Sequence, residues 1–186
     1  MEKNKNIKRG HVLASAGEYG PVWRITEGMF RLERVGHDGL SLVQLGLPGD
    51  LLGVEALCAE PYAYTITAIT TGQAELVDAN HELSRFGVVA KAYLQQQRRT
   101  HDMMKLRGGP VADRLAHFLK LLARNADGSV RPLERRDLPV LREIAAILDT
   151  ATETVCRELN AFIPARVYQR PAREGWGGEV ELAMAA

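Results

Sequence analysis

The hydrophobic pattern of this chain changes period near His81, and that change limits the folds open to it. From Val12 to about Asp78, short apolar runs are separated by glycine turns: VWRITEGMFRLERV, LSLVQLGL, YAYTITAI and QAELVD. Phe30 and Leu32 point one way in FRLERV while Arg31 and Glu33 point the other, and YTITAI alternates similarly. This is the period of half-buried antiparallel strands. His37-Asp38-Gly39 supplies a hairpin turn and Pro48-Gly49-Asp50 a tighter corner. Many short strands at regular spacing predict a small barrel or jelly roll.

Beyond His81 the repeat becomes helical. Phe86, Ala90, Tyr93, Gln97, Thr100 and Met104 recur at spacings of three and four, flanked by Lys91, Gln95, Gln96, Arg98 and Arg99. A long helix with one narrow seam suits packing against a second copy, although the spacing alone also admits a helix lying on its own barrel. Gly108-Gly109-Pro110 ends it. The next helix carries Val111, Leu115, Phe118, Leu119 and Leu122 as an apolar stripe and ends near Asn125 to Gly128. A further helix is expected from Leu138 to Leu148, capped by Asp137 with Pro139 in its first turn, burying Leu141, Ile144, Ala145 and Leu148. Thr150 and Glu153 have the spacing of a capping box for a last helix, with Val155, Leu159 and Phe162 inward and Thr152, Glu153, Cys156 and Arg157 outward. Two short helices joined this way form either a unit that fits a DNA major groove or an ordinary helical hairpin.

Charge is unevenly placed. Residues 1–90 carry 8 Lys/Arg against 11 Asp/Glu, residues 91–173 carry 16 against 9, and residues 174–186 carry none against three, so the basic surplus falls on the helical part, where it can face phosphates. No run of eighteen apolar residues and no secretory leader is present, which predicts a cytoplasmic protein without membrane contact. Cys58 and Cys156 form neither a disulfide framework nor a metal knuckle. The histidines at 11, 37, 81, 101 and 117 show no HxxxH or HExxH spacing, and phosphate-loop glycine motifs are absent. Asp50 and Glu55 are the one carboxylate pair that a metal-binding barrel could use, but a turn role suffices for Asp50. No enzyme, no metal site and no cofactor is expected.

Three stretches in order carry a family resemblance: LVQLGLPGDLLGVEAL (Leu42 to Leu57), VADRLAHFLKLLA (Val111 to Ala123) and LREIAAILDTATETVCREL (Leu141 to Leu159). The chain resembles the cyclic-nucleotide receptor and fumarate-nitrate regulator (CRP/FNR) family of bacterial transcription factors. The resemblance implies an α+β architecture with an amino-terminal double-stranded β-helix (jelly roll), a long dimerisation helix and a carboxy-terminal helix-turn-helix with a wing. On this chain those parts fall at 1–83, 84–107 and 108–186. It further implies a homodimer on double-stranded DNA, reading an inverted repeat with half-sites about 34–36 Å apart, with RNA polymerase as a possible partner.

By matching positions Glu153 and Arg157 resemble the family's base readers, with Thr152 at a third position where many members have arginine. Arginine donates a bidentate pair to guanine, and glutamate accepts from cytosine; four residues apart, Glu153 and Arg157 are expected to orient one another. Arg135, Arg136 and Arg142 are the expected phosphate contacts. Val140 stands where the family often has a hydroxyl.

The effector-pocket positions correspond to Gly53, Val54, Glu55, Tyr62, Ala63, Arg99 and Thr100. Nucleotide-binding members place glutamate directly after the glycine and an Arg-Ser pair where this chain has Tyr62 and Ala63. Without that arginine a buried phosphate lacks compensation, so cyclic nucleotide is not expected. Thr100 reads as a polar interface residue and Arg99 as a solvated one, with a role toward another anion as the alternative. No cysteine precedes Cys58, which excludes an amino-terminal iron–sulfur cluster held by one protomer; haem, for which Cys58, His11 and His81 are the available ligands, is not expected either, Cys58 reading as a small buried residue. The wing matches poorly: Val167-Tyr168 and Val180 to Leu182 would pair across Gly177-Gly178. One barrel strand is expected to be missing. The alternative function is a diverged or truncated homologue that dimerises and binds a protein partner without DNA.

Overall fold

The computed structural model describes residues 3–37, 39–79 and 81–163. The wing segments around Val167-Tyr168 and Val180 to Leu182 lie outside them.

Eight strands form two four-stranded antiparallel sheets: β1 (Asn4–Ile7), β8 (Gly72–Leu76), β3 (Trp23–Glu27) and β6 (Leu51–Leu52) in one, and β2 (Val12–Ala14), β7 (Thr65–Ala68), β4 (Phe30–Gly36) and β5 (Gly39–Gly46) in the other. This strand count and order is a jelly roll, so the expectation of a missing strand is corrected. The additional strand is β1, whose Asn4, Lys5 and Asn6 are exposed and only Ile7 is buried. Its polar face suits a sheet edge. Between the sheets lie Ile25, Phe30, Leu32, Leu52 and Ile66.

In β4 the pairing with β5 steps from Leu32–Gln44 to Glu33–Leu42, a bulge that adds Val43. Glu33 is buried rather than solvent-facing, beside half-buried Arg31. The corner at 47–50 closes as expected: the Asp50 N–H donates to the Leu47 carbonyl at 2.9 Å, and the Leu47 N–H donates to Asp50 Oδ2 at 2.8 Å.

Helix α1 (Glu82–Arg107) follows, then α2 (Val111–Leu122), α3 (Leu141–Leu148) and α4 (Thr152–Phe162). Two expected helix starts are corrected. Leu138 precedes Pro139, whose ring disfavours helical geometry at that position, and Leu138 is extended at ψ 144°. Asp137 instead closes a 3-10 turn over Arg135–Asp137, and α3 begins after extended Val140. Thr150 caps nothing: Asp149 is left-handed at φ 50°, the Thr150 N–H turns back to the Ala145 carbonyl, and Ala151 precedes α4. Phe162, expected inward, is 45% exposed.

The β-roll and the helical part share one apolar core. Met29, Leu45, Leu47 and Ile69 from the β-roll meet Leu106 of α1, Leu115 and Phe118 of α2, Ile144 and Leu148 of α3, and Val155 and Leu159 of α4. Among the described residues no helix is long and apolar enough to cross a membrane.

Candidate nucleic-acid interface and sensor pocket

The α3–α4 unit is held from below by apolar packing and from both ends by arginines. Ile144, Ala145, Ile147 and Leu148 bury one face of α3, and Val155 and Leu159 bury the matching face of α4. The carbonyls left unpaired where a helix ends need donors. Arg114 of α2 donates to the Leu148 carbonyl at 2.7 Å, closing α3. Arg135 donates to the Ile163 carbonyl at 2.8 Å and to Asn160 Oδ1 at 2.5 Å, closing α4. Arg135 therefore braces the fold and is not a free phosphate donor, while Arg114, which the sequence reading passed over, holds the turn in place.

On the opposite face of α4, Glu153 and Arg157 are exposed and Thr152 is half-buried. Arg157 donates to Glu158 at 3.2 Å, so the expected mutual orientation of Glu153 and Arg157 is corrected. This contact is exposed and weak, leaving the guanidinium available. Arg142 is exposed and makes no ion pair among the described residues. Arg136 is 79% exposed in its side chain and meets Glu134 at 3.2 Å.

Helix α1 has two faces. One packs on its own protein: Val88, Gln95, Arg99 and Leu106 are buried. The Gln95 amide brackets β6, accepting from the Leu51 N–H at 2.7 Å and donating to the Leu51 carbonyl at 2.9 Å. Phe86, Ala90, Tyr93, Gln97, Thr100 and Met104 all lie on exposed surface, with Phe86, Tyr93 and Met104 at 76%, 64% and 69%. Thr100 donates to its own helix, at the Gln96 carbonyl.

Arg99 is neither solvated nor open to an effector. It is 4% exposed. Its Nε and Nη2 donate to the two oxygens of Asp50 at 2.7 and 3.0 Å, and Nη1 donates to Asp102 at 2.5 Å. Burial opposes its charge, but the hydrogen bonds and charges of Asp50 and Asp102 outweigh burial and hold the guanidinium above its ordinary pKa. The second oxygen of Asp102 contacts His117 Nε2 of α2 at 3.1 Å. A chain of polar contacts thus runs from the β5–β6 corner through α1 to α2.

In the β-roll, Gly53, Val54, Glu55 and Tyr62 gather at one small cavity of about 60 Å³, with Arg99 and Thr100 outside its lining. Tyr62 occupies the space. Its hydroxyl lies so close to Gly20, and its ring so close to Gly53, that a Cβ on either would collide, at 2.1 and 2.3 Å. Its hydroxyl donates to the Pro21 carbonyl at 2.7 Å, and burial raises the phenol above its ordinary pKa. Glu55 is turned onto the backbone, accepting from the Ala63 N–H at 3.2 Å. The position expected to meet a phosphate thus holds a phenol ring, and the nearest carboxylate, Glu55, is engaged with the backbone. Replacing Tyr62 with Phe should cost about 1 kcal/mol by leaving the Pro21 carbonyl without its donor, readable as a lower urea midpoint with an unchanged slope.

Cys58 is exposed in a 3-10 turn, not buried as expected; His11 and His81 are also exposed, on separate connections. Among the described residues no group of three or more His, Cys, Asp or Glu is arranged to hold a metal ion.

A jelly-roll domain, a long helix with an open apolar seam and a helix-turn-helix on a shared core define a two-domain architecture. Residues 4–82 match the cyclic nucleotide-binding domain family. A CRP-family transcriptional regulator of Thermus thermophilus is 26% identical over 85% of this chain and 83% of its own, with a TM-score of 0.64. A CRP/FNR-family regulator of the same organism (24% identity, 86% and 84% coverage, TM-score 0.53) and FixK2 of Bradyrhizobium japonicum (19%, 86% and 83%, TM-score 0.59) share the fold. No curated protein sequence matches the chain. Over most of its length the chain is similar in fold to CRP/FNR-family transcription regulators.

Proposed function

We propose that the chain is a sequence-specific regulator that binds double-stranded DNA as a homodimer, reading bases with Glu153 and Arg157 of α4. The observation that carries this reading is the presentation of α4: one face locked into the core by Val155 and Leu159, the other exposing a carboxylate and a guanidinium one turn apart. Arg142 and Arg136, both exposed, are the cations assigned to phosphates in this reading, contacts that position the protein without specifying sequence. Thr152, half-buried, makes a smaller contribution than an arginine there would.

Selection from a random duplex pool tests the proposal. An inverted repeat with half-sites about one helical turn apart is expected; a folded dimer that enriches no motif would overturn it. Replacing Arg157 with Ala should lower discrimination at its base pair by about 1–3 kcal/mol. Equal losses on matched and mismatched duplexes would remove Arg157 from the base-reading role.

The β-roll is proposed to act without cyclic nucleotide or haem. A ligand held at one hundred times its Kd stabilises by about 2.7 kcal/mol, worth roughly 2–4 °C in Tm per kcal/mol for a protein of this length. Cyclic AMP at ~1 mM should leave Tm unchanged, and a rise of several degrees would refute the plugged pocket.

A further inference from the structure

The described residues enclose a much larger space between the two domains than within the β-roll. This cleft has a volume of about 820 Å³, within the roughly 300–1,000 Å³ of small-molecule sites. The β-roll wall offers Arg9, Thr70 and Thr71, and the helical wall offers Arg124, Arg131 and Arg136. Arginines that line one cleft from two domains suit phosphate, which the planar guanidinium grips through paired hydrogen bonds.

Three carboxylates also line the cleft, and two of them are already committed. Asp127 accepts from the Ser129 N–H at 2.8 Å and its hydroxyl at 2.6 Å; these bonds hold its carboxyl below the usual range. Asp137 accepts from the Glu134 N–H at 2.9 Å and meets Arg131 at 3.3 Å. Glu27 is the third. Against them, Arg124 makes no ion pair among the described residues, and the pair of Arg136 with Glu134 is too exposed to hold it.

We propose that this interdomain cleft is a binding site for a polyphosphate anion of nucleotide size, gripped by Arg124 and Arg136 on one wall and Arg9 on the other. In the structure Arg9 Nη2 donates to Glu143 Oε2 of α3 at 2.9 Å, a surface contact between the β-roll and the first helix of the DNA-reading unit. An anion in the cleft competes with Glu143 for Arg9 and ties both walls to one ligand, so its occupancy biases how the two domains sit. That consequence rests on the DNA-binding reading; the binding itself does not.

Calorimetric titration of the full chain, without DNA, with adenosine triphosphate and separately with inorganic tripolyphosphate tests the site. One saturable site per chain is expected for both probes, weakened at least ~tenfold in Arg124→Gln/Arg136→Gln and held within about twofold in Lys120→Gln, an exposed charge of α2 outside the cleft. If the double variant fails to fold, Arg9→Gln on the opposite wall must show the same weakening. The proposal is overturned by no saturable binding at ~1 mM probe, by unchanged affinity in the cleft variants, or by an equal loss in Lys120→Gln. Because no duplex is present, a failure of the DNA reading leaves this result untouched.

Discussion

Replacing Arg99 with methionine should destabilise the protein by about 3–5 kcal/mol, the cost of removing one partner from a buried charge cluster. Among the described residues Arg99 is the one cation paired with both Asp50 and Asp102, and its side chain and that of Asp50 are each 5% exposed. Methionine fills similar volume, so packing changes little while two carboxylates lose their compensating charge. Lysine should recover only part of the loss, since one ammonium cannot reproduce the two-oxygen grip on Asp50. Urea unfolding measures both variants, and a methionine variant within 1 kcal/mol of the parent would show the cluster contributes little. A double-variant cycle with Asp50→Asn separates the pair from its surroundings: Arg99→Met should cost less when Asp50 is already neutral.

The effect should also reach beyond stability. Asp50 sits in the corner that places Leu47, a β-roll residue buried in the core shared with α3 and α4. Asp102 meets His117 of α2, the helix whose Arg114 closes the end of α3. Loss of Arg99 therefore loosens the β5–β6 corner, α1 and α2 together, and protease sensitivity should rise at the domain junction.

Why the sequence reading anticipated some of this and not the rest follows from what periodicity can carry. The strands of the β-roll and the four helices are visible because their apolar faces repeat. β1 was not, because an exposed edge strand of Asn4, Lys5 and Asn6 has no apolar face to repeat. Helix starts depend on backbone detail: Pro139 sets Leu138 extended, and a left-handed Asp149 moves the start of α4 past Thr150. Spacing alone gave both caps to the wrong residues. Arg99 shows the limit most clearly. Its neighbours on α1 are polar, so it reads as solvated, and only the approach of Asp50 from 49 positions earlier turns it into a buried hub. Tyr62 and Gly53 are expected at the pocket, but that the ring fills the space depends on Gly20, which no motif marks.

Placing aspartate at Tyr93 should convert the dimer into a monomer. Tyr93 lies midway along the seam between Phe86 and Met104, and its hydroxyl accepts from Gln97 Nε2 at 3.1 Å, so the ring lies along the helix surface with its face open. In a two-fold interface each substitution occurs twice. Aromatic anchors at such centres commonly account for 2 kcal/mol or more each, so two losses give about 4 kcal/mol, roughly a thousandfold in dimer Kd, before the repulsion of two facing carboxylates is added. The buried face of α1, with Gln95 and Arg99, is untouched by this change, so the monomer should keep its fold and its Tm should fall only modestly. Sedimentation across a concentration series reads the shift directly, and a variant that sediments as a dimer would move the interface off this seam. On DNA the consequence is distinct from that of Arg157→Ala. A monomer carries an intact α4 and keeps its preference for one half-site, but the second half-site no longer adds affinity, so the inverted repeat and a single half-site should be bound equally weakly.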